Sequence, residues 1–219
     1  MTSTLAFLGG TGDQGRGLAR RLALAGHPVI LGSRSVERAE AAAATVRDGL
    51  PASADVRGAA NDAAAAEADL VIVAVPYEGH AALLAAVAGE LAGKIVVDCV
   101  NPLGFDERGA FALEVPEGSA AEQAASLLPD STVVAAFHHV SAVLLLDPEV
   151  ASMDTDVLVL GDERAATDQV QDLVAEIPGM RGIYAGRLRN ARQVEALTAN
   201  LISVNRRYKA HAGLRVTDV

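Results

Sequence analysis

The sequence predicts an α/β fold: a doubly wound, mainly parallel sheet with a smaller C-terminal portion packed against it. Three observations predict it. Strand and helix signals alternate along most of the 219 residues. The strongest strand signal, Leu70 to Val75, is apolar on both faces, as a strand covered by helices on either side must be. Between the first strand signal and the first helix signal stands Gly10-Thr11-Gly12-Asp13-Gln14-Gly15, the glycine-rich turn of a Rossmann-type unit.

Leu5-Ala6-Phe7-Leu8 is the first strand, and Leu18, Leu22 and Leu24 begin a helical stripe that stops at Gly26. The first glycine of the turn permits a tight bend. The second lets backbone approach a pyrophosphate, and the third lets helix pack on strand. The helix then offers free N–H groups and the positive end of its dipole to an anion. Val29–Leu31 is a second strand, followed by an Ala/Glu-rich helix from Ser35 to Val46. Ala54–Arg57 is a weak third strand and 61–67 a helix; Leu70–Val75 is a fourth strand, ended by Pro76, and Ile95–Asp98 a fifth. Val133–Phe137 is a sixth, preceded by a helix whose Ser119-x-x-Glu122 fits a capping box. Val157–Leu160 leads into a helix with Val170, Leu173, Val174 and Ile177 on one face, closed by Pro178-Gly179. A last helix from Asn190 carries Val194, Leu197, Leu201 and Ile202. The expected core order is 3-2-1-4-5-6. No linker separates two folding units, so residues 1–140 read as a dinucleotide-binding core and 141–219 as a portion that folds only against it.

Aromatic residues make up 3% of a chain that is 51% hydrophobic, so the core is mostly Ala, Val and Leu. A single cysteine, Cys99, excludes an internal disulfide and a cysteine-rich zinc site. No stretch approaches the ~20 apolar residues of a bilayer span, and no leader-like segment precedes the first strand. The expectation is a cytoplasmic protein. A net charge of −10 argues against nucleic acid as a partner. The charge is uneven: residues 181–219 carry +6 and the remainder −16. Such a cationic segment attracts an anionic ligand or a contacting subunit, or balances its acidic neighbours.

An NAD site normally ends its second strand with an acid that binds the ribose hydroxyls. Here Gly32-Ser33-Arg34 stands in that place, with Arg38 one helical turn on. A hydroxyl and two guanidinium forks suit a 2′-phosphate, so NADP is expected rather than NAD. Val75-Pro76 and Asn101-Pro102 follow the fourth and fifth strands at the carboxyl edge, where open α/β sheets bind ligands. There is no Tyr-x-x-x-Lys pair, since Lys94 and Lys209 are the only lysines, and no Gly-x-Ser-x-Gly elbow. His138 and His139 are adjacent and lack metal-ligand spacing, so no metal is expected. A chain without a dedicated proton donor suits transfer of hydride to a conjugated ring, which needs two rings held face to face in dry surroundings.

Leu8 through Gly15, Gly32-Ser33-Arg34, Val73-Ala74-Val75-Pro76, Phe137-His138-His139-Val140 and Asn205 through Lys209 together resemble the NADPH-dependent F420 reductase family over nearly the whole chain. The resemblance implies hydride exchange between NADP and the deazaflavin coenzyme F420, stacked in a cleft between core and C-terminal portion. It implies that Thr11, Gly12, Asp13 and Gln14 bind the pyrophosphate, that Ser33, Arg34 and Arg38 bind the 2′-phosphate, and that Val75 and Pro76 back the nicotinamide. His138, Val140 and Leu214 would border the deazaflavin, His138 also being a candidate for proton or charge support. His139 and Ser141 depart from the family pattern, which has a smaller hydroxyl residue and a proline. The polyanionic tail of F420 supplies a reason for the +6 segment. Reduction of another flavin, electron delivery through flavin to a metal, and a non-catalytic NADP-binding redox sensor are the alternative readings; a homodimer is compatible with the apolar last helix.

Overall fold

The computed structural model describes residues 2–219. In chain order the first elements are β1 (Leu5–Leu8), α1 (Asp13–Leu24), β2 (Val29–Ser33), α2 (Val36–Arg47), β3 (Val56–Ala60), α3 (Asn61–Glu67) and β4 (Leu70–Val73). There follow α4 (Tyr77–Ala86), α5 (Ala88–Leu91), β5 (Ile95–Asp98), β6 (Leu103–Asp106), β7 (Gly109–Ala112), α6 (Ala120–Leu127) and β8 (Thr132–Ala135). The last are α7 (Ala142–Leu146), β9 (Thr155–Gly161), α8 (Arg164–Ala175), β10 (Met180–Gly186) and α9 (Ala191–Tyr208).

Eight strands form one sheet in the order β10-β9-β8-β5-β4-β1-β2-β3. Its middle and one flank follow the expected 3-2-1-4-5-6 path, with β8 as the sixth strand. Pairing is parallel throughout except between β8 and β9. Alternate residues of the central strands feed two cores: Leu5, Phe7, Leu70 and Ile72 point to one, Ala6, Leu8, Val71 and Val73 to the other. That two-sided burial is why these strands are unbroken apolar runs.

The structure revises several expected boundaries. β3 runs Val56–Ala60 rather than Ala54–Arg57, because its pairing with β2 extends to Ala60 beside Ser33. β4 stops at Val73, so Ala74-Val75-Pro76 lies beyond the ladder; β8 stops at Ala135, before Phe137-His138. Leu24, expected in the buried stripe of α1, is 46% exposed at the helix end. Helices α4, α5 and α7 were not expected, and two further features had no clear sequence signal. One is edge strand β10, whose Arg, Gly and half-exposed Tyr184 break the apolar pattern. The other is the β6–β7 hairpin, turned by Asp106, whose Oδ1 accepts the N–H groups of Arg108 and Gly109 at 2.8 and 3.2 Å. Half of the predicted capping box is present: Ser119 Oγ accepts the Glu122 N–H at 3.0 Å, while the Glu122 carboxylate accepts from the Ser119 hydroxyl at 3.1 Å rather than from its backbone N–H.

Candidate coenzyme cleft

The glycine-rich turn leaves β1 at the carboxyl edge, and its three glycines meet different surroundings. A Cβ on Gly10 would strike Phe7 O at 2.6 Å and Leu31 Cδ2 at 2.8 Å, and one on Gly15 would strike Gly10 Cα at 2.7 Å. A Cβ on Gly12 would meet nothing within 4 Å. Gly10 and Gly15 are therefore required by packing, whereas Gly12 faces open space at the start of α1. That helix has no side-chain cap, which leaves its first-turn N–H groups free for an anion. Asp13, in the same turn, has its charge balanced by Arg16 at 2.6 Å.

Ser33 ends β2 on this edge, buried, with its Oγ accepting the Ser35 N–H at 3.3 Å. Arg34 and Arg38 follow as exposed side chains with no ion pair among the described residues. Ser35 caps α2, which places Arg38 in its first turn. Asn61 was not singled out from the sequence, yet its Oδ1 accepts the Gly9 N–H at 3.4 Å and abuts Gly32. A polar residue opening a helix just after a strand was the available signal.

Val75 is half-buried and Pro76 exposed at the start of α4. A Cβ on Gly9, whose φ is +68°, would run into Val75 Cγ1. Val75 is thus set directly against the glycine-rich turn. Asn101 is half-buried and Pro102 buried after β5. The Asn101 Nδ2 donates to His138 O at 2.8 Å, and Thr198 Oγ1 of α9 lies 3.2 Å from Asn101 Oδ1 and 3.1 Å from His138 O.

That junction follows Phe137, a fully buried residue in the left-handed region at φ +65°, a conformation costing about 1–3 kcal/mol outside glycine. Gln14 Nε2 of α1 donates to Phe137 O at 3.2 Å. Side chains from α1, the β5 exit and α9 therefore hold the two successive carbonyls that fix His138. Both His138 and His139 are nine-tenths buried, with ring nitrogens lacking hydrogen-bond partners. Desolvation lowers each to about 4, so both rings are neutral at pH 7. An orphaned imidazole and an uncapped helix start with open space over Gly12 are what a bound coenzyme would complete. Val140 is buried beside this junction.

Leu214 reaches the same edge by a long-range clasp. β9 runs antiparallel to β8, so its first residues extend past the carboxyl end of β8. There Thr155 Oγ1 accepts the Leu214 N–H at 3.1 Å and Asp156 N donates to Leu214 O at 2.8 Å. The buried Asp156 carboxylate binds Arg181 at 2.7 Å, Arg215 at 2.8 Å and the Val216 N–H at 2.6 Å. The Arg181 guanidinium holds that carboxyl far below the usual range. Of the eight cations in residues 181–219, Arg181, Arg215 and Arg187 are thus engaged by Asp156, Asp154 and Asp162. Arg206, Arg207 and Lys209 stand at the end of α9, and His211 Nδ1 lies 3.5 Å from Ser141 Oγ.

An open cavity of about 550 Å³ lies at the other end of β9, lined by Gly161, Asp162, Arg164, Thr167, Tyr184 and Arg187. It includes none of the coenzyme-binding residues expected from the sequence, only Arg187 of the cationic segment. Among the described residues, no group of three or more His, Cys, Asp or Glu could hold a metal ion, and no helix is long and apolar enough to cross a membrane.

Residues 4–102 match the family model described as NADP oxidoreductase, coenzyme F420-dependent. The chain is 42% identical to the F420-dependent NADP reductase of Methanothermobacter marburgensis, over 98% of each chain. It is 40% identical to the enzyme of the same name from Methanocaldococcus jannaschii, again over 98% of each. A crystal structure described as a putative F420-dependent NADP reductase from Arthrobacter sp. superposes with a TM-score of 0.83 at 33% identity, covering 98% of this chain and 99% of that one. On full-length likeness in sequence and in fold, the chain belongs to the F420-dependent NADP reductase family.

Proposed function

We propose that this protein is a cytoplasmic NADPH:F420 oxidoreductase. When both coenzymes are bound, hydride passes between nicotinamide and deazaflavin: NADPH + F420 + H⁺ ⇌ NADP⁺ + reduced F420. Residues 1–140 hold NADP, and 141–219 complete the cleft for F420. The N–H groups of Thr11, Gly12, Asp13 and Gln14 receive the pyrophosphate, with Gly10 and Gly15 shaping the turn. Ser33, Arg34 and Arg38 receive the 2′-phosphate. Val75 and Pro76 back the nicotinamide, with Asn101 and Pro102 alongside, while His138, Val140 and Leu214 border the deazaflavin. Rate acceleration comes from ring proximity and exclusion of water, with the neutral His138 ring offering one hydrogen bond rather than the charge support expected from the sequence. A His138→Ala enzyme with full turnover would remove it from that role.

The observation that carries this reading is the shared edge. Open space above Gly12, the unpaired Arg34 and Arg38, and the orphaned His138 ring all lie at the carboxyl ends of one sheet. Mixing the purified protein with NADPH and F420 should bleach the visible absorbance of the oxidised deazaflavin. Faster turnover of FMN or riboflavin would favour the flavin-reductase reading. NADPH binding with no turnover of any acceptor would favour a redox sensor. The exposed Phe105, Phe111, Val204 and Tyr208, with half-buried Leu197 and Leu201, support pairing as a homodimer. Sedimentation velocity at micromolar concentration would give one monomeric species if that is wrong.

A further inference from the structure

One buried polar cluster remains outside this account. His80, in the first turn of α4, and Asp98, the last residue of β5, are both fully buried and joined at 2.6 Å between Nε2 and Oδ2. The other ring nitrogen, Nδ1, lies 2.9 Å from Gln123 Oε1 of α6. The Gln123 amide is oriented by its second bond: Nε2 donates to the Glu117 carboxylate at 3.2 Å, which leaves Oε1 for the ring. A carboxylate and an amide oxygen are both acceptors. Both nitrogens of His80 must therefore carry hydrogen, which makes the ring a buried imidazolium.

The place of this ion pair gives it a task. His80 sits four residues after Pro76, on the helix that Val75-Pro76 opens. The second oxygen of Asp98 accepts the Val100 N–H at 3.0 Å and so shapes the turn that delivers Asn101 to His138 O. We propose that the His80–Asp98 ion pair is a positioning clamp, which sets the spacing between the exits of β4 and β5 and so places Val75-Pro76 against Asn101 across the coenzyme cleft. This rests on the hydride-transfer reading for its kinetic consequence, but not for its geometry.

The groups facing the ring are Asp98 from β5, Gln123 backed by Glu117 from α6 and its approach, Glu195 from α9, and Tyr77 on its own helix. Burial lowers the His80 pKa most, but the hydrogen bond and charge of Asp98, with Gln123 and Glu195, together outweigh it and hold it above the ordinary value. With an acceptor on each ring nitrogen, the clamp is closed while the ring is charged and opens as pH rises through that raised value.

Asp98→Asn tests the clamp while keeping its shape. The amide oxygen still accepts from Val100 N, and its NH₂ can donate to a neutral His80 that keeps its proton on Nδ1 for Gln123. Nitrogen-detected NMR of His80 in the full-length protein should show imidazolium at pH 7.5 in the wild type and neutral imidazole in the variant. The affinity for NADPH, anchored by its phosphates, should change less than about threefold, while kcat falls about tenfold or more from misplacement of the reacting groups. The wild-type alkaline fall in kcat should be missing from the variant between pH 6 and 9. A neutral His80 in the wild type overturns the proposal. So does a variant with wild-type kcat, or one that is slower but keeps the alkaline limb. A wild type that binds NADPH without turning over F420 would instead refute the hydride-transfer reading, leaving the NMR arm to judge the clamp.

Discussion

The β1–α1 turn and the C-terminal tail lie at the same sheet edge but are held there by opposite means. The turn is shaped mainly by neighbours in sequence: Gly10 N donates to Phe7 O at 3.0 Å and Gly15 packs on Gly10, with Gly32 O and Asn61 adding support from adjoining elements. The tail is held by partners about sixty residues away, through Thr155, Asp156 and the backbone of Leu214 and Val216. A similar bond fixes α7, where Arg21 of α1 donates to the carbonyls of Leu144, Leu145, Asp147 and Val150. Local steric demand makes a turn that any similar stretch would reproduce. Long-range polar bonds make a surface that depends on the whole fold, and should fail first when one partner is lost.

Acid should have the largest effect, because the buried His138 and His139 sit where the two regions meet. Each is lowered from 6.5 to about 4 by burial. As pH falls below 6.5 the unfolded chain takes up protons that the folded one refuses, at a cost approaching about 3 kcal/mol per ring. Glu195, whose carboxylate accepts the N–H groups of Ala120 and Ala121, is raised to about 7 by burial. It works in the other direction, recovering about 3 kcal/mol as pH falls from 7 to 4.5. The net expectation is a loss of about 3 kcal/mol between pH 7 and 4, read by urea unfolding across that range. A stability that rises on acidification would mean the two rings are not buried.

Asp156→Ala attacks the tail alone. It should cost roughly 2–3 kcal/mol, less than for a fully enclosed pair because Arg181 and Arg215 are two-fifths exposed. The KM for F420 should rise while that for NADPH stays put; equal rises in both would mean the tail does not serve the deazaflavin side separately. Arg34→Ala attacks the other side. The preference for NADPH over NADH should fall about tenfold or more, in line with loss of one charge-assisted bond worth about 1.5–3 kcal/mol. Unchanged preference would move the 2′-phosphate elsewhere. The smallest effect is expected from Arg206→Ala with Arg207→Ala. These exposed cations at the end of α9 are expected to attract a polyanionic tail through screened forces, so a several-fold rise in KM for F420 should shrink as salt is added. Insensitivity to both the substitutions and salt would leave these arginines to the helix dipole alone.

Legibility in the sequence followed the range of the interactions. Strands β1, β2, β4 and β5 were readable because two-sided burial writes itself as consecutive Leu, Val and Ile. The N-cap at Ser119 and the glycine turn were readable because the deciding contacts of each, Glu122 N on Ser119 and Gly15 on Gly10, lie within a few residues. β10 was not: it is an edge strand paired, among the described residues, with β9 on one side, so its pattern is mixed. Thr198, Gln14 as a brace for Phe137, and the His80–Asp98–Gln123 chain were equally hidden, since each polar residue is ordinary until its distant partner is known.

From residue order alone came the doubly wound architecture, the glycine-rich turn and the choice of Ser33-Arg34 over an acid, because each rests on steric and hydrogen-bonding rules acting within one βα unit. Tertiary structure alone decided that Phe137 adopts a strained conformation, that His138 and His139 lose their water, and that half-hidden polar side chains from α1, β5, α6 and α9 converge beneath the cleft. The physical reason is desolvation: burial by remote elements sets the charge state of a histidine or carboxylate, and no spacing along the chain records which elements will come to cover it.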